Sequence, residues 1–75
     1  MIVMKVIPWE PIGAISSRLQ DGRDVLLWVD GRPVLGKWEL ELERWTEKNR
    51  QAAGGKPYVL PRTSVTHFAE IMPPE

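Results

Sequence analysis

The run Val25-Leu26-Leu27-Trp28-Val29 followed by Asp30-Gly31 limits what this chain can fold into more than any other stretch. Five consecutive apolar residues bounded by turn formers read as a strand covered on both faces. Asp-Gly between two apolar runs is a strong hairpin signal, because a tight two-residue turn needs positive φ and Gly supplies it without a steric penalty. Pro33 is acceptable just after such a turn but not deep in a ladder. From Val34 onward the pattern has period two. Val34, Gly36, Trp38, Leu40 and Leu42 fall on one face, and Lys37, Glu39, Glu41 and Glu43 fall on the other. That alternation predicts a half-buried antiparallel strand with a charged outer face.

The remaining elements follow from the same rules. Residues 2–7 are apolar and rich in β-branched types, which predicts a strand ended by Pro8. Residues 8–22 read as a long connection, with a single helical turn expected between Ala14 and Leu19. From Glu43 to Ala53 the residues are good helix formers, so a helix is expected there, closed by Gly54-Gly55. Tyr58-Val59-Leu60 suggests a short extended piece. Val65, His67, Ala69 and Ile71 alternate with Thr66, Phe68 and Glu70, which predicts a last strand. The expected fold is α+β and mostly β: one domain over residues 1–75, with strands near 2–7, 24–30, 33–42 and 64–70 and one helix near 43–53.

The chain has 75 residues, no net charge and no cysteine. A domain of this size buries about 60% of its unfolded surface, enough for one thin core. Without cysteine there is no disulfide, thiolate metal site or Cys nucleophile to consider. Trp9, Trp28, Trp38 and Trp45 are therefore expected to supply much of the core, each able to bury about 150–250 Å². Trp is also a frequent interface anchor, and Trp45 is the one for which that role is weighed most heavily.

Chemistry is sparsely encoded. His67 is the lone histidine, with no Gly-x-Ser-x-Gly turn and no carboxylate cluster at ligand spacing, so a structural role is favoured over catalysis. No cofactor, metal or enzymatic activity is expected. Neutral net charge argues against nucleic acid as a main partner, although Trp45 amid Arg44, Lys48 and Arg50 sketches a weak stacking patch. The apolar start of the chain, broken by Lys5, is too short to span a bilayer, so no membrane partner and a cytoplasmic location are expected. The candidate contact for a protein partner is the acidic stripe Glu39, Glu41 and Glu43 together with Trp45. The bland reading is a solvated face whose charges discourage edge aggregation.

In order along the chain stand Trp9-x-Pro11-Ile12, Asp21-Gly22-Arg23-x-Val25-Leu26-Leu27-Trp28, Gly36-x-Trp38, Thr66-His67-Phe68 and Met72-Pro73-Pro74. This succession resembles a small family of uncharacterised domains common in bacteriophages and prophages. Phe68 stands where that family usually has Trp, and the hydrophilic stretch from about 43 to 62 is longer than usual. The resemblance implies a small antiparallel β domain of mobile-element origin and carries no catalytic residues. It makes a non-enzymatic accessory protein that binds a host or phage protein the leading expectation, with inhibition of a host defence complex such as a CRISPR effector as one form of it. A homo-oligomeric structural module and a weak nucleic-acid binder are the alternatives.

Overall fold

The computed structural model describes residues 7–71. They form one six-stranded antiparallel sheet in the order β1-β6-β2-β3-β4-β5. The strands are β1 Glu10–Pro11, β2 Asp24–Val29, β3 Arg32–Glu39, β4 Arg44–Gln51, β5 Pro57–Val59 and β6 Val65–Glu70. The expected strand near 2–7 lies outside the described residues except for Ile7, which is in no strand.

The β2–β3 hairpin forms as the sequence dictates. Val29 pairs with Arg32 across a two-residue turn, and Asp30 and Gly31 take φ of 49° and 80°. Positive φ at both central positions is what the right-handed twist of a tight hairpin requires. Residues opposite one another in the ladder share a face, so Val25, Leu27, Val34, Gly36, Phe68, Trp38 and Trp45 line one side of the sheet. Val25 and Leu27 are 0% exposed. Their cover comes from outside the sheet. Ile12, Ile15 and Leu19 from the 3-10 turns Ile12–Ala14 and Ser17–Leu19, and Leu60 after β5, pack onto this face. The opposite face carries Leu26, Leu35, Trp28 and His67, which are half-buried, with Trp9 edge-on to Trp28 at 5.4 Å.

The helix expected over 43–53 is not there. That segment is β4, and among the described residues the only helical pieces are 3-10 turns. A lone helix of that length is marginal in water unless one face is apolar. Here Trp45, Ala52 and Ala53 would share a helix face, but Lys48 and Asn49 stand at the positions between them, so no continuous apolar stripe forms. As a strand, the segment buries Trp45 and Thr46 and sets Trp45 directly opposite Trp38, edge-to-face at 5.3 Å. Tertiary burial overrides local propensity. Gly54 and Gly55, with φ of 77° and 74°, serve the reversal from β4 to β5 rather than a helix end. Between Glu47↔Tyr58 and Gln51↔Pro57 the register slips, and Asn49 absorbs the kink at φ 63°. β3 is also shorter than expected: it stops at Glu39, and residues 40–43 form a turn.

One ion pair ties the connection over residues 12–23 to the sheet, and a second lies within it. Arg18 donates through both terminal nitrogens to Glu70, at 2.9 and 2.6 Å. Arg23 donates to Asp21 through Nε, Nη2 and its backbone N–H. The hydrogen bond from Arg18, and then its charge, hold the Glu70 carboxyl below its ordinary pKa of 4.5. The hydrogen bonds from Arg23 lower Asp21 likewise. A carboxyl depressed in the folded state contributes stability above its unfolded pKa and loses it as pH falls through the folded value. The melting temperature is therefore expected to drop as pH is lowered below about 4.5, and Glu70→Gln should flatten part of that drop. Melting curves of both proteins between neutral and acid pH check this. Because the pair is solvent-exposed, its effect at neutral pH should be small and weakened by salt.

Candidate functional site

The structure separates the residues of the predicted contact. Glu39 ends β3 and is half-buried, with its carboxylate 3.3 Å from Lys37 Nζ. Glu41 and Glu43 are exposed, but in the turn and not on a strand face. Trp45 is 7% exposed and belongs to the core. Two of the three acids thus sit on a turn tip, and Trp45 is a core residue at its base.

Sequence reasoning placed Leu40 and Leu42 on the buried face. They are the residues it missed, because they stand 63% and 49% exposed. The tip Leu40-Glu41-Leu42-Glu43 contains no Gly, Pro, Asn or Asp, so nothing in it announces a turn. Glu43 takes φ 52°, a conformation usually left to Gly or Asn. The available signal was indirect. Pairing Trp38 with Trp45 as facing aromatics would have required the chain to reverse between them. With the ladder closed by Glu39↔Arg44, a four-residue tip is what remains.

Arg44 opens β4 and points back under the tip. Its Nη2 donates to the Leu60 carbonyl at 3.0 Å, while the Leu60 N–H donates to the Trp45 carbonyl at 2.9 Å. These two bonds hold the segment after β5 against the core. Arg44 Nε is buried without a hydrogen-bond acceptor among the described residues. Beside it lies a cleft of about 170 Å³ walled by Ile12, Trp38, Trp45, Leu60 and Val65, with Glu43, Arg44 and Arg62 at its edges.

The second aromatic group sits on the other face. Trp9, Trp28 and His67 line a shallow apolar hollow of about 210 Å³. His67 is half-buried in β6, and its Nδ1 lies 2.9 Å from the Thr66 hydroxyl. Among the described residues no group of three His, Cys, Asp or Glu gathers as metal ligands, and no helix is long and apolar enough to cross a membrane. The patch of Arg44, Trp45, Lys48 and Arg50 expected for nucleic acid is dispersed. Trp45 is buried, Lys48 contacts Asp24 at 2.6 Å, and Arg50 lies over the Tyr58 ring at 4.0 Å. No family model, curated protein or solved structure matches the chain.

Proposed function

We propose that the chain is a non-enzymatic protein-binding module that contacts its partner through the β3–β4 tip, Leu40 to Glu43. The observation that carries this reading is the exposure of two leucines, 63% and 49%, that alternate with Glu41 and Glu43 on one turn. Exposed leucine side chains cost solubility unless something covers them, and flanking acids select a partner surface with an apolar centre and a basic rim. Trp45 and Trp38 beneath the tip fix its shape in advance, which lowers the ordering cost of association. The motif resemblance to phage and prophage domains supports an accessory role against a host or phage protein. Blocking a defence complex such as a CRISPR effector is the specific form of that role to test first.

The experiment is affinity capture from a bacterial lysate with the wild-type protein, Leu40→Ser/Leu42→Ser and Glu41→Lys/Glu43→Lys. Circular dichroism and melting should be near wild type for both variants, since the four side chains are exposed. The expected result is one protein retained by the wild type and lost by both variants. Equal retention by all three would remove the tip as the contact. One further observation favours pairing between copies. Among the described residues, β6 is covered on its outer side only where Glu10 and Pro11 meet Phe68 and His67, which leaves ladder edge open. A strict monomer in light scattering at high concentration would eliminate that alternative.

A further inference from the structure

Arg18 pairs with Glu70, Arg23 with Asp21, and Arg32 and Arg50 with Glu47. Arg44 and Arg62 make no ion pair among the described residues, and both line the same cleft, together with Glu43 and five apolar residues. We propose that this cleft binds a small carboxylic acid with a compact apolar body, of about the size of benzoate, its carboxylate held between the Arg44 and Arg62 guanidinium groups.

Each part of the site selects that chemistry. Two arginines without an ion pair among the described residues line one cleft and favour an anion there, and a guanidinium fork matches a carboxylate. Arg44 is held in place by the bond from Nη2 to the Leu60 carbonyl. Its Nε is buried and its Nη2 is taken, so Nη1, which makes no hydrogen bond among the described residues, is the nitrogen left for a ligand. Glu43 also lines the cleft but makes an ion pair with neither arginine, so two positive charges face one negative charge there and the cleft keeps a net positive charge. The walls decide between anions. Ile12, Trp38, Trp45, Leu60 and Val65 offer nothing to a hydrated phosphate but cover a ring or branched chain. A volume of 170 Å³ is in the range that admits a benzene-sized group.

The probe is sodium benzoate at constant ionic strength, read by the indole N–H signals in nitrogen–proton correlation spectra. Trp38 and Trp45 line the cleft, whereas Trp9 and Trp28 meet on the opposite face of the sheet and serve as internal controls. The expected result is saturable movement of the Trp38 and Trp45 signals with Trp9 and Trp28 still. Arg62→Gln, at an exposed position that leaves the fold intact, should weaken binding about tenfold, as loss of one charge-assisted hydrogen bond does. Benzamide, with the same shape and no charge, should weaken it at least as much. The proposal is overturned if benzamide and benzoate act alike, if all four indoles move together, if Arg62→Gln binds like wild type, or if nothing saturates. These readouts are independent of partner capture by the Leu40–Glu43 tip, so either reading can fail without the other.

Discussion

Trp45→Ala is expected to lower unfolding stability by about 3–5 kcal/mol, measured from urea transitions followed by circular dichroism. The side chain is 7% exposed and packs in the core cluster with Leu19, Leu27, Val34, Leu60 and Phe68. Removing it forfeits its transfer energy, leaves a cavity, and deletes an edge-to-face pair with Trp38 worth about 0.5–1.5 kcal/mol. At about 0.05–0.15 kcal/mol per residue the whole domain has only about 4–11 kcal/mol to lose. A measurable unfolded fraction at room temperature should follow. Trp45→Phe keeps an aromatic ring opposite Trp38 and should cost clearly less. The alternative outcome is diagnostic. An alanine variant with the wild-type urea midpoint and lost partner capture would make Trp45 a surface anchor after all.

That contrast shows where the sequence was legible. The β2–β3 hairpin could be read at β2 and at its turn because a continuous apolar run, Asp-Gly and the alternation after it agreed there, though the alternation carried β3 past its end at Glu39. The last strand was read for the same reason. The segment from Leu40 to Ala53 failed because its signals conflict. Glu, Arg, Lys, Gln and Ala favour a helix locally, whereas Trp45 and Thr46 are buried only if the segment joins the sheet. Neither propensity nor period can reveal that Trp38 needs Trp45 as its neighbour. The same error put the residues around the candidate contact in the wrong environments. Carrying the strand pattern past Glu39 turned two exposed leucines inward and left Trp45 looking free, so the acids were found and the apolar half of the surface was not. The arginine cleft was invisible for a different reason. Arg44 and Arg62 are distant in sequence, and the β4–β5 ladder with the bonds between Arg44, Trp45 and Leu60 brings their segments together.

Gly36→Val is expected to abolish the native fold or to reduce its stability to a small fraction, and Gly36→Ala to cost about 1–3 kcal/mol. Gly36 needs no special backbone conformation; it needs its missing side chain. A Cβ at this position would lie 2.6 Å from Leu27 Cδ1 and 2.9 Å from the Thr46 carbonyl oxygen. Leu27 is 0% exposed, so its methyl has no open space to retreat into. The carbonyl is backbone of β4, and moving it means parting β3 from β4 next to the Trp38–Trp45 pair. Against this, alanine lowers unfolded-chain entropy by an amount worth about 0.4–1 kcal/mol, which the clash outweighs. Valine adds two methyls in the same space and has no compensating gain of similar size. Gly13→Ala is the matched control, because a Cβ there meets nothing within 4 Å, and its urea midpoint should stay close to wild type. If Gly36→Ala instead unfolded at the wild-type midpoint, β3 and β4 could separate at no cost. The support that Trp38 and Trp45 give the Leu40–Glu43 tip would then be too loose to preshape it for a partner.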